Sequence, residues 1–318
     1  KINESQYFFE NFIDSWKKND LEFLKKHLFP RIESYIQKSD LSFLINNDIL
    51  FTIADILNAE DYELLSQAIE TIGYVISVYN DSIDFFLSSP IELQNYLCFL
   101  LDDYIQKKSN FTVRHVKACI EILYQMFHIN SVSMNVFMEL NILSLLSSYM
   151  DDSFNDVYCE EDGSGAFDIY IEKIILEIMN ELIINEKYLD EEEFKNAIKI
   201  YFSVFNKNIK SDKRIDNNRG YLFEIACDLF IHLISEDPLF ILELEKAHSF
   251  QKCCYFIYEV EDFKLEYLSP IFELFAEVFD KKEVELQYED EQKADDHQNL
   301  VNDAIDRLAS SIDGSSIL

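Results

Sequence analysis

The sequence has little of the residues that interrupt helices or favour turns. Its 318 residues include only five glycines and four prolines. Threonine is scarce as well, whereas leucine, isoleucine and phenylalanine abound. Tight hairpins depend on glycine and on other turn-forming residues, and no stretch of useful length alternates apolar with polar residues as a half-buried strand does. We therefore predict an all-α protein.

Basic residues are also few. Lysine and arginine number 27 against 60 aspartates and glutamates, which gives a formal net charge of −33. Because nucleic-acid backbones and anionic membrane surfaces are bound mainly through lysine and arginine, such a surface repels both. We expect a partner that is itself a protein, with a basic or extended segment. The alternative is that the acidity serves only to keep a phenylalanine-rich protein in solution.

The usual signatures of catalysis, metal binding and membrane insertion are missing. The sequence contains no P-loop, no glycine-rich dinucleotide turn and no His-Glu-x-x-His motif. Its six cysteines lack zinc-site spacing and lie mostly among apolar residues. No apolar run approaches the ~20 residues of a membrane span, and residues 1–18 are charged and amphipathic, without the apolar core that a signal peptide has. We expect a protein without enzyme activity, cofactor or metal, in the reducing cytosol or the nucleus.

The chain does contain an internal repeat. An apolar residue, an acid, two mostly apolar residues, two free positions and two apolar residues recur five times, and the acid positions are separated by 51, 56, 51 and 45 residues. A period of this size is typical of stacked helical repeats. The acid positions are Glu70, Glu121, Glu177, Asp228 and Glu273.

Helical periodicity extends around each repeat. It predicts a helical cap over residues 1–46, about five repeats over 47–280, an acidic flexible linker over 281–298 and an amphipathic helix over 299–318. Asp151 to Phe167 is predicted to be a flexible acidic insertion. Three Ser-Pro or Asp-Pro pairs are predicted to begin helices: Ser89-Pro90, Asp237-Pro238 and Ser269-Pro270.

The order of short, medium and long helices resembles the armadillo repeat and, more loosely, the HEAT repeat. The residues that carry the likeness are Ile49-Leu50-x-x-Ile53-x-x-Ile56-Leu57, then Ala68-Ile69, Ile72 and Asn80. The resemblance implies a right-handed α-solenoid whose long helices line a concave groove. Nuclear import adaptors of this family carry tryptophan and asparagine ladders there, but this chain has acids at the tryptophan position and unrelated residues at the asparagine position.

The acid of each repeat lies opposite the apolar sector on a helical wheel, so we expect it to face solvent. By resemblance these acids line the groove, with positions four residues later and seven residues earlier beside them. The predicted partner-binding residues are Glu70, Tyr74, Glu121, Gln125, Tyr170, Glu177, Glu181, Tyr221, Asp228, His232, Glu273 and Glu277.

Two functions fit this pattern. The first is a scaffold that binds a basic or extended protein segment on the acidic concave face. The alternative is a regulatory adaptor that contacts its partner through the convex face, the 151–167 loop or the carboxyl-terminal tail. Nothing in the sequence fixes the oligomeric state.

Overall fold

A computed structural model of the chain describes residues 4–129, 131–155, 165–184, 191–207, 220–259, 265–282 and 291–312. Within these ranges every regular element is a helix and none is a strand. The prediction of an all-α protein is therefore confirmed. The chain divides into two compact units, Lys1–Tyr149 and Met150–Leu318.

The first unit contains helices of very different lengths. In chain order they are α1 (Glu4–Lys17), α2 (Leu21–Phe23), a π-helical turn (Leu24–Leu28), α3 (Phe29–Ile36), α4 (Leu41–Asn46), α5 (Ile49–Asp55), a 3₁₀ turn (Ile56–Asn58), α6 (Tyr62–Val78), α7 (Ser82–Leu87), α8 (Leu93–Ile105), α9 (Val113–Ile129), α10 (Ser131–Met138) and α11 (Ile142–Asn155). The last residues of α11 belong to the second unit.

Local chemistry explains where α6 begins and which side it buries. Asp61 caps the helix, since its carboxylate accepts the backbone N–H groups of Glu63 and Leu64, each at 3.1 Å. Apolar residues then recur at helical spacing and are buried: Leu64, Leu65, Ala68, Ile69, Ile72, Val75 and Ile76.

The long helix α6 packs against α3, α5 and α9. Its contact with α9 is close at Gly73, where an added methyl group would lie 3.3 Å from the Cγ1 atom of Ile122. Glycine at this position therefore lets the two long helices approach each other.

The second unit contains seven helices among its described residues after α11. In chain order they are α12 (Gly165–Ile184), α13 (Glu191–Lys207), α14 (Gly220–Glu236), α15 (Phe240–Lys246), α16 (Ser249–Glu259), α17 (Leu265–Asp280) and α18 (Glu291–Ile312).

In this unit the long helix α14 packs against both α12 and α17. The hydroxyl of buried Tyr201 on α13 donates to the carbonyl of Leu176 on α12 at 2.8 Å. The last helix, α18, packs on α15 and α16. The Arg307 guanidinium of α18 binds both carboxylate oxygens of Glu245 on α15. The apolar face of α18 is therefore already in use inside the unit.

Several helix boundaries differ from the predictions. The Ser89–Pro90 peptide is cis, and α8 begins only at Leu93. Pro270 lies inside α17 instead of beginning it. The prediction was wrong at both prolines because a Ser-Pro pair restricts the local backbone without fixing where a helix starts. By contrast, Asp237 Oδ1 accepts the N–H of Leu239 at 3.0 Å just before α15.

Two segments expected to be flexible are partly helical. Residues 151–155 belong to α11 and residues 165–167 belong to α12, so only 156–164 of the predicted insertion lie outside the described residues. Likewise α18 begins at Glu291, within the segment predicted to be a linker. None of the helices that the structure describes has both the length and the apolar character that a membrane crossing requires.

Candidate acidic interface

The five repeated acids lie on five long helices, and none of them is buried. Glu70 on α6 and Glu121 on α9 belong to the first unit, where these two helices pack together. The second unit contains Glu177 on α12, Asp228 on α14 and Glu273 on α17. The residues that precede the acids in the first four of these helices are buried: Ile69, Ile120, Leu176 and Cys227.

The remaining predicted partner-binding residues also lie on these helices. Four residues after the acids, the side chains are partly buried: Tyr74, Gln125, Glu181, His232 and Glu277. Tyr170 on α12 is 48 % exposed. Tyr221 is in α14, but its side chain lies outside the described residues.

In the first unit the repeated acids face cations of the protein itself. The guanidinium of Arg114 on α9 donates through Nε to Glu70 Oε1 at 2.6 Å and through Nη2 to Glu70 Oε2 at 2.8 Å. This paired hydrogen bond joins α6 to α9 and raises the pKa of Arg114. Lys117 lies 3.8 Å from the carboxylate of Glu121. Both repeated acids of the first unit are therefore paired with cations of the protein itself.

In the second unit two acids are also paired. Lys173 lies 3.6 Å from Glu177, and Lys281 lies 2.9 Å from Glu277. Glu277 also accepts a hydrogen bond from the hydroxyl of Ser235 on α14 at 2.9 Å. The hydrogen bond from Lys281 is the main reason that the pKa of Glu277 is lowered.

Three other acids in the second unit form what we call the acidic cluster: Glu224 and Asp228 on α14, and Glu273 on α17. All three are exposed. Partial burial raises the pKa of Asp228, and the negative charges of Glu224 and Glu273 raise it further. Among the described residues no lysine or arginine forms an ion pair with any of the three, although Ser269 donates to Glu273 at 2.9 Å.

Asp228 and Glu273 were predicted from the sequence as interface residues, but Glu224 was missed. Glu224 precedes Asp228 by one helical turn, so the two lie on the same face of α14. A helical wheel of α14 therefore places Glu224 beside Asp228, and the sequence alone could have identified it. The role of Arg114 could not be read from the sequence in the same way, because its partner Glu70 lies 44 residues away.

A buried histidine was also missed. His115 on α9 lies against the rings of Tyr62 and Phe111. Its Nδ1 atom accepts the backbone N–H of Thr112 at 3.1 Å, and its Nε2 atom lies 2.7 Å from the carbonyl of Tyr62 on α6. These contacts require a proton on Nε2 and a lone pair on Nδ1. Burial lowers the pKa of His115, so its role is to join α6 to α9 as a neutral ring.

Two shallow depressions lie on the part of the surface that the structure describes. One, of about 350 Å³, lies along α17 and is lined by Leu268, Ser269, Phe272, Glu273 and Ala276. The other, of about 310 Å³, lies in the first unit between Leu57 and Phe99. Within the part of the chain that the structure describes, no three metal-ligating side chains converge.

The acidic cluster and the α17 depression share Glu273, which places a carboxylate beside an apolar surface. No protein-family model matches the chain, and no curated protein matches it, so the evidence for a function comes from this surface.

Proposed function

We propose that the chain is a non-enzymatic binding module, a right-handed α-solenoid of armadillo-like repeats that holds a basic segment of another protein on the outward faces of its long helices. The packing of α6 on α9, of α12 on α14 and of α14 on α17 supports such a stack. Small-angle scattering tests the architecture, since a solenoid gives an elongated particle and a compact sphere contradicts it.

The acidic cluster is the observation that carries the proposed binding. Elsewhere the repeated acids are paired with Arg114, Lys117 or Lys173. In the cluster, partial burial raises the pKa of Asp228, and the neighbouring carboxylates of Glu224 and Glu273 raise it further. A lysine or arginine from a partner would supply the missing positive charge and relieve this repulsion. We therefore centre the site on α14 and α17.

The alternative of an adaptor that binds through its tail receives less support. Leu300 of α18 is 49 % exposed, but four other apolar residues of this helix are already buried: Val301, Ala304, Ile305 and Leu308. Of the predicted loop at 151–167, residues 156–164 lie outside the described residues, and the rest belongs to α11 and α12. The five described cysteines are free and buried, which supports the assignment to a reducing compartment, the cytosol or the nucleus.

A binding titration tests the proposal. A fluorescent lysine- and arginine-rich peptide is titrated with the protein at low and high salt. We expect Asp228→Asn combined with Glu273→Gln to weaken binding by about tenfold, since each exposed pairing contributes about 0.2–1 kcal/mol. Added salt should weaken binding to the unmodified protein.

The matched control removes the same charge from exposed sites in the first unit, by Glu33→Gln combined with Asp84→Asn. It should change the affinity by no more than about twofold. If the control weakens binding as much as the cluster variant does, binding depends on total charge and the proposed site is wrong.

A further inference from the structure

The long helices share an apolar flank, and α17 is the helix in which this flank is exposed. The residue directly before each acid is fully buried in α6, α12 and α14, where it is Ile69, Leu176 and Cys227. The equivalent residue in α17 is Phe272, which is 49 % exposed. We call Leu268, Phe272, Ala276 and Phe279 the α17 flank.

The same contrast recurs further along the helices. The residue six positions after the acid is fully buried in α6, α12 and α14, where it is Ile76, Ile183 and Ile234. In α17 it is Phe279, which is 37 % exposed. The flank is therefore exposed over several turns and not only at one side chain.

Contacts between helices show what normally covers this flank. On α6 the residue three positions after the acid faces the next long helix, since Gly73 adjoins Ile122 of α9. On α12 the side-chain amide of Asn180 donates to the carbonyl of Ile225 of α14 at 3.3 Å. The equivalent residue on α17 is Ala276, which is exposed and lines the depression of about 350 Å³. The α17 flank thus has the residues of a helix-binding surface, and among the described residues it is left exposed.

We propose that the α17 flank docks an amphipathic helix of a partner protein, in the place that a next long helix would take. The proposal rests on the proposed function and specifies its partner. In the first unit, Arg114 of the covering helix binds Glu70, the repeated acid of the covered helix. The repeated acid of α17 is Glu273, and exposed Asp280 lies two helical turns further along. The docked helix would therefore present apolar residues to Phe272 and a basic residue to Glu273.

Charge favours a partner over a second copy and over the segment that follows α17. A second copy would bring another net charge of −33 to a flank that lies beside the acids Glu273 and Asp280. The chain's own residues 283–290, which lie outside the described residues, read Glu-Val-Glu-Leu-Gln-Tyr-Glu-Asp and contain no basic side chain. Neither supplies a positive charge for Glu273.

The test uses two peptides matched in length to α17. The first places leucines along one face of a helix and lysines along the other, and the second scrambles the same composition so that no apolar face forms. Fluorescence anisotropy with the full chain measures both affinities. We expect the amphipathic peptide to bind at least about tenfold more tightly than the scrambled one, because only the first can bury apolar surface against the flank.

Phe272→Asp separates apolar docking from charge attraction. It removes an apolar side chain and adds a negative charge, so it should weaken the amphipathic peptide by about tenfold if the flank is the site. Pure charge attraction predicts equal or tighter binding. Phe99→Asp is the matched control at another exposed phenylalanine (56 % exposed). Ala276→Gln, which fills the depression without adding charge, should also weaken binding. A loss of affinity in both variants argues that the effect of Phe272→Asp does not come from misfolding.

Each remaining outcome decides the question. Equal affinities for the two peptides, or unchanged binding by Phe272→Asp, overturn the docking helix but leave the acidic cluster of the proposed function intact. If neither peptide binds at about 1 mM, both proposals are overturned. A dimer in sedimentation that Phe272→Asp converts to monomer assigns the flank to a second copy. Binding that appears only after residues 283–290 are deleted assigns it to the chain itself.

Discussion

Neutralising one repeated acid should stabilise the protein, whereas neutralising another should destabilise it. Asp228→Asn removes a negative charge that faces Glu224 and Glu273 with no cation of the described residues paired to it. Glu70→Gln removes the charge that binds Arg114 through two hydrogen bonds of 2.6 and 2.8 Å. Both substitutions nearly preserve side-chain shape, so the sign of the effect reports the local charge environment.

The magnitudes follow from exposure. The side chains of Arg114 and Glu70 are 55 % and 39 % exposed, so solvent screens the pair and its loss should cost about 0.5–1 kcal/mol. Asp228 is also exposed, so relief of its repulsion should contribute about 0.2–1 kcal/mol. The folded state raises the pKa of Asp228 above its ordinary 3.8. The gain from Asp228→Asn should therefore be present above that raised pKa and disappear as the pH falls toward 3.8, where the native aspartate is protonated too.

Hydrogen exchange measured by mass spectrometry suits this test because it reports on α14 and α6 separately. At pH 7, Asp228→Asn should slow exchange in α14 up to about fivefold, and Glu70→Gln should speed exchange in α6 by about two- to fivefold. High salt should reduce both effects. Faster exchange in α14 of Asp228→Asn would refute the reasoning, since it would mean that the native carboxylate has a stabilising partner.

Two further predictions concern the contacts of α6. Ile72→Ala changes the fully buried side of α6 and should lower the free energy of unfolding by about 2–5 kcal/mol in urea titrations. Val78→Ala changes a side chain that is 39 % exposed and should cost less than about 0.5 kcal/mol. Equal losses would mean that the buried face is misassigned. Because the folded state lowers the pKa of His115 below its ordinary 6.5, the stability that it contributes is present above pH 6.5 and should decrease as the pH falls through that value. Thermal melts of the native protein and of His115→Gln between about pH 7.5 and 5 should show a smaller pH dependence in the variant, and identical pH dependence would contradict the neutral ring.

The sequence alone determined the helices and their buried faces. The repeated pattern around Glu70 lies in α6 (Tyr62–Val78), and the one around Glu121 lies in α9 (Val113–Ile129). The outward direction of the repeated acids was readable for the same reason, since helical periodicity and capping act within a few residues along the chain.

Only the tertiary structure decided which of those acids are neutralised and which flank is left uncovered. Glu70 and Asp228 occupy the same position of the repeat, yet Glu70 binds Arg114 from a neighbouring helix while Asp228 faces other carboxylates. Phe272 likewise follows the same pattern as Ile69 but is exposed. These differences depend on which helix packs alongside and in what register, and residues that are distant in sequence set that register.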